Sequence, residues 1–194
     1  VEGALRARSQ KHFYLETQTA YAVPDEGRML IYSSTQAPQA VQEVVARVLG
    51  TPMNTIQVKM RRAGGAFGAK ATRNLPHAAA AAVAAKVLGR PVRLTLDRAT
   101  DMQLTGGRHA MEAEYAVAYD PTTGLLEAVT CQIWLNGGFC ADLSFTPCHD
   151  LASNLEQAYF IPHLDASIEV LRTNLPTSTA MRGPGVVQAS FIME

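Results

Sequence analysis

Apolar residues recur along this chain in two rhythms. After Pro38, Val41, Val44, Val45, Val48 and Leu49 return every three or four positions, which predicts an amphipathic helix opened by the proline and closed by Gly50. The alanine-rich run LPHAAAAAVAAKVLGRP predicts a second helix, stopped by Gly89 and Pro91. Elsewhere the period shortens to two. Met29–Tyr32, Ile56 to Met60 and Val92–Leu96 read as strands, and Ala113–Tyr119 and Leu125–Leu135 flank Asp120, Pro121 and Gly124, turn formers that predict a hairpin. Past Gly137 the pattern weakens, until SIEVLR (167–172) gives a short strand and a Pro/Gly-punctuated loop carrying Arg182 follows. Val187 to Ile192 has an apolar helical face. These elements predict an α/β fold of mixed sheets with packed helices, without repeats or linkers, in one domain over residues 1–194.

Composition narrows the class. Hydrophobic residues make up 47% of 194, enough for a packed core. Seventeen basic and seventeen acidic side chains cancel, so nothing electrostatic points to nucleic acid or an anionic membrane, and a small ligand is the expected partner. Cys131, Cys140 and Cys148 form no CxxC pair and are odd in number. Neither a zinc site nor a disulfide framework is expected, and the reducing cytoplasm is the expected compartment. The first residue is Val1 and the last apolar face stops at Glu194; the reading is an interior piece of a longer polypeptide, cut at both ends.

The stretch RRAGGAFGAK (61–70) sits between a strand and a helix. Without side chains, loop N–H groups can approach an anion or an oxo group closely. Phosphate in a Walker loop requires a different spacing and a hydroxyl where Ala71 stands, and Gly64, Gly65 and Gly68 are out of register for a dinucleotide fingerprint. A loop whose glycines serve only packing is the other reading.

Five stretches together are more specific: KHFYLETQ (11–18), SSTQAP (33–38), GGAFGAK (64–70), GGRH (106–109) and TNLPTSTAMRGPG (173–185). In order and separation they resemble the molybdenum-cofactor domain of the xanthine dehydrogenase and aldehyde oxidase family, of which this would be the first part. The resemblance implies a molybdenum–pterin cofactor here, and iron–sulfur clusters of the 2Fe-2S type, FAD and a homodimer in the full-length protein. It implies that Gln36 hydrogen-bonds an oxygen ligand of the metal, against a helix-capping alternative. The Phe67 backbone would lie at the metal centre, Gly64, Gly65 and Gly68 near the pterin, and Arg182 at the cofactor, so that Gln36, Phe67 and Arg182 surround the metal. Ala66 and Ala69 stand where the family usually has glycine, which puts cofactor affinity in question if either position needs a left-handed backbone. A non-catalytic remnant and a nucleotide-binding module remain the competing readings.

The resemblance also bears on substrate and mechanism. Xanthine dehydrogenases carry a glutamate, an arginine and a phenylalanine where this chain has Ala71, Asp150 and Pro184. A pocket without those groups favours an aldehyde or an N-heterocycle over xanthine, the purine alternative; Ala71 and MRGPG look closer to plant-type aldehyde oxidases. The implied reaction is a water-derived hydroxylation whose glutamate base lies outside this chain, so no catalytic residue is assigned in it. His109 has no Ser, Cys or Asp partner at a recognisable position and is read as structural, like His12, while Glu16 is expected to hold backbone groups.

Overall fold

A computed structural model describes residues 1–194, arranged as β1 (Glu2–Ala7), β2 (Thr19–Asp25), β3 (Arg28–Ser33), α1 (Pro38–Leu49), β4 (Ile56–Lys59), α2 (Leu75–Leu88), β5 (Val92–Thr95), α3 (Arg98–Leu104), β6 (Met111–Tyr119), β7 (Leu126–Gly138), α4 (Phe145–Ser153), β8 (His163–Arg172) and α5 (Val186–Met193). Contacts divide the chain into two compact units, His12–Thr105 and Val1–Lys11 with Gly106–Glu194.

In the His12–Thr105 unit the strand order is β4-β3-β2-β5. β2 pairs antiparallel with β3 and with β5, whereas β3 and β4 run parallel because α1 carries the chain back across the sheet. Alternation puts Ala20, Ala22, Met29, Ile31 and Ile56 on the inner face, where they meet Val41, Val45 and Leu49 of α1 and Ala78, Ala81, Ala82 and Ala85 of α2. The alanines let α2 lie close to the sheet, because interaxial distance follows side-chain size. Helix α3, which the apolar pattern did not predict, is capped by Asp97, whose carboxylate accepts from the Thr100 N–H.

In the other unit the order is β1-β6-β7-β8. The predicted hairpin joins β6 to β7, and its turn is held by the Asp120 carboxylate, which accepts from the Thr122 N–H and the Thr123 hydroxyl. Val129, Cys131, Ile133 and Leu135 alternate inward on β7 and pack with Met111, Ala113, Leu151 of α4 and Ala189 of α5. Helix α4 and strand β1 were not anticipated. No helix is long and apolar enough to cross a membrane.

Candidate functional site

Three of the five singled-out stretches converge in the His12–Thr105 unit, and the residue that joins them is Lys70. Its side chain is fully buried. The ammonium donates to the Glu16 carbonyl at 2.8 Å, to Glu16 Oε2 at 3.1 Å and to Ser34 Oγ at 2.8 Å, which uses all three of its protons, and it lies 4.7 Å from the centroid of the Tyr14 ring. Burial pulls the Lys70 pKa down, and Glu16 opposes that shift. Burial pushes the Glu16 carboxyl up, but hydrogen bonds from Ser34, from the Gly64 N–H and from Lys70 outweigh it, and its pKa is lowered. Beneath them the Tyr14 hydroxyl donates to Asp101 at 2.7 Å, and burial raises that phenol to about 12.

This cluster fixes both ends of the glycine loop. Glu16 Oε2 accepts from the Gly64 N–H at 2.7 Å, and Glu16 itself donates its N–H to the Gly64 carbonyl. The Lys70 carbonyl accepts from the Gln36 N–H at 2.8 Å and from the Thr35 hydroxyl at 3.3 Å. A Cβ on Gly64 would run into the Glu16 side chain, and one on Gly65 into Tyr14. Packing against the 14–16 segment therefore accounts for Gly64, while Gly65, at φ 95, needs glycine for its backbone as well. Gly68, at φ 108, needs to be glycine for its backbone. Neither Ala66 nor Ala69 has a positive φ, so the two alanines impose no left-handed backbone strain.

Gln36 does not cap α1, whose N-cap is Ala37. Its Oε1 accepts from the Gly68 N–H at 3.0 Å, which orients the carboxamide and leaves both protons of its nitrogen for another acceptor. The N–H groups of Gly65, Ala66 and Phe67 have no backbone acceptor either. Phe67 is 48% exposed and has φ 53, so its ring is not part of the core. Left-handed backbone in a bulky residue is strained by about 1 kcal/mol or more. Phe67→Gly is accordingly expected to change stability by no more than about 1 kcal/mol, against about 3–5 kcal/mol for truncating a buried phenylalanine. Urea denaturation of the two proteins would read this difference. Ala71 ends the same loop, its N–H bonded to the Gly68 carbonyl.

The other three predicted positions lie in the Val1–Lys11 and Gly106–Glu194 unit. Arg182 is exposed and Pro184 half-buried in the loop before α5, and Asp150 is on α4. The loop and helix meet at Gly185, which packs so tightly on α4 that a Cβ would strike the backbone of Pro147, Asp150 and Leu151. His109, in contrast to the sequence reading, has a partner. Its Nε2 is 2.7 Å from Ser144 Oγ, and burial drives its pKa down to about 4. A Ser–His pair of this kind suggests a nucleophile, but the ring is 1% and the serine 3% exposed, so no substrate reaches them and the structural role stands.

No group of three or more His, Cys, Asp or Glu side chains could ligate a metal directly. What the loop offers is N–H donors on pinned backbone and a pinned carboxamide, the donor set that suits oxygen acceptors on a bound group rather than a bare cation. The whole chain, residues 1–194, matches the molybdopterin cofactor-binding domain model, and the protein belongs to that family. It is 43% identical to aldehyde oxidase 4 of Cavia porcellus over 196 residues, 100% of this chain and 14% of that protein. It is 44% identical to aldehyde oxidase 4 of Arabidopsis thaliana over 191 residues, 98% of this chain and 14% of that one. The structure resembles the aldehyde oxidoreductase from Desulfovibrio gigas with a TM-score of 0.82 at 26% identity, covering 98% of this chain and 21% of that one. The chain thus spans about one seventh of the length of the curated relatives it matches.

Proposed function

We propose that this chain holds a molybdenum–pterin cofactor within a longer enzyme that oxidises aldehydes to carboxylic acids, or hydroxylates N-heterocycles, with water as the oxygen source. The observation that carries this reading is Gln36: its carboxamide is pinned by the loop it faces and keeps two donors unused. When bound, the metallopterin supplies a Lewis acid and a two-electron sink. Gln36 would donate to an oxygen of the bound group, Gly64, Gly65 and Gly68 would bring backbone to the cofactor without bulk, and the Phe67 backbone would lie beside it. Arg182, whose guanidinium makes no ion pair, adds a cation for the cofactor's anionic groups. Gln36, Phe67 and Arg182 are the residues assigned to the metal's surroundings. The proton acceptor of the reaction is assigned to a glutamate outside this chain, and the 2Fe-2S clusters, FAD, the homodimer and the cytoplasmic location to the full-length protein.

Ala71, Asp150 and Pro184 are assigned to the substrate side. Alanine and proline offer no side-chain hydrogen bond, and the Asp150 carboxylate repels anions, so a purine carrying several polar edges gains little here. Full-length protein is expected to contain molybdenum and to turn over an aromatic aldehyde at least tenfold better than xanthine in kcat/KM. Metal-free protein would defeat the enzyme reading, and faster xanthine turnover would defeat the aldehyde preference.

A further inference from the structure

The GGRH stretch has no part in the function proposed above, yet it is built against the loop that carries Arg182. Gly106, at φ 79, lies so close to the Thr177 carbonyl that a Cβ would overlap it. The Gly107 carbonyl accepts from the Thr179 N–H at 2.9 Å. The His109 carbonyl accepts from Gln188 Nε2 at 3.3 Å, in the helix that follows the loop. Between them, the Arg108 guanidinium meets three consecutive carbonyls: Nη2 donates to Arg182 O at 2.6 Å, and Nη1 to Gly183 O at 2.9 Å and to Met181 O at 3.3 Å.

Arg108 is 7% exposed and forms no ion pair. Burial pulls its pKa down, although a guanidinium stays charged throughout the working pH range. Its charge is balanced by neutral dipoles, those of the 181–183 carbonyls and of the Gln10 carboxamide, whose Oε1 lies 3.2 Å from Nε. Gln10 in turn accepts the Arg108 N–H at its carbonyl, and Ser9 Oγ donates to the Arg108 carbonyl. The cation is thus fixed from behind and grips the loop in front. A single planar fork reaching three successive carbonyls is a geometry that lysine, with a tetrahedral ammonium on a flexible stem, does not reproduce.

We propose that Arg108 is a positioning residue: it sets the backbone of residues 181–183, and through it the direction of the exposed Arg182 side chain toward the cofactor. The inference rests on the assignment of Arg182 to the cofactor. Its test is a double-mutant cycle in the full-length enzyme with Arg108→Lys, Arg182→Ala and the pair, reading bound pterin per subunit after gel filtration, the Mo(V) EPR spectrum and the melting temperature. Arg108→Lys is expected to lower pterin retention at least tenfold and to alter the EPR spectrum, Arg182→Ala to do the same, and the double variant to be no worse than either. Gln10→Leu, which keeps the guanidinium, is expected to show a smaller loss in the same direction and none in the Arg182→Ala background. Full retention in both Arg108→Lys and Gln10→Leu, or losses that multiply in the double variant, would overturn the proposal. Full retention in Arg182→Ala would overturn the underlying assignment instead.

Discussion

Glu16→Ala is expected to destabilise the His12–Thr105 unit by about 3 kcal/mol, the low end of the cost of leaving one member of a buried ion pair without its partner. The low end applies because the Glu16 side chain keeps 35% of its exposure while Lys70 keeps none. Removing the carboxylate strips the ammonium of its counter-charge, leaves it the Ser34 hydroxyl and one carbonyl, and releases the Gly64 N–H at the entry to the loop. The sign of the effect can be checked within the same residues. Adding Lys70→Met to Glu16→Ala removes the orphaned cation and is expected to recover part of the loss, because an apolar side chain of similar volume replaces a charge. Equilibrium urea unfolding of the single and double variants measures both steps. A double variant less stable than Glu16→Ala would mean that Lys70 stabilises the fold independently of its carboxylate partner.

Acidification is the second large effect, and it centres on His109. Folded, the ring keeps its proton off until about pH 4; unfolded, it regains its ordinary value of 6.5. Between those values the unfolded chain binds a proton that the native chain refuses, so stability rises with pH across the window and is lost as pH falls from 6.5 to about 4. The loss amounts to about 3 kcal/mol, because a tenfold change in proton affinity between the two states is worth about 1.4 kcal/mol. Above 6.5 both states are neutral and the slope from this group vanishes. Burial lowers His77 in the same direction, so it adds to the slope. His109→Gln removes the titration, and a plot of unfolding free energy against pH is expected to flatten over this window. An unchanged slope would show that the buried pair with Ser144 is not what makes the protein acid-sensitive.

How much of this was legible in the sequence follows from the physics of each element. Helix α1 was placed to the residue because Pro38 and Gly50 mark its ends chemically, and Gly50 indeed adopts the left-handed conformation at φ 63. The β6–β7 hairpin was legible because DPTTG caps itself through Asp120. Helix α3, with seven residues, is too short to show a period, although Asp97 three residues before Thr100 was a readable cap. Helix α4 carries a proline and a polar, low-propensity sequence, and it is held by packing of Leu151 rather than by local preference. The candidate site was legible as motifs but not as contacts. Nothing in the spacing of Glu16, Ser34 and Lys70 shows that they form one cluster, and nothing local pairs His109 with Ser144, 35 residues away. Long-range partners of this sort come only from the fold. The structure also separates causes that sequence had merged: Gly64 is small because Glu16 is there, whereas Gly65 and Gly68 carry a positive φ.

An anomalous-difference map of the full-length protein, crystallised with its metal and collected at the molybdenum edge, would locate the metal against Gln36 and Phe67. One strong peak is expected within reach of the Gln36 carboxamide, beside the Phe67 backbone. A molybdenum peak remote from both residues would contradict that expectation.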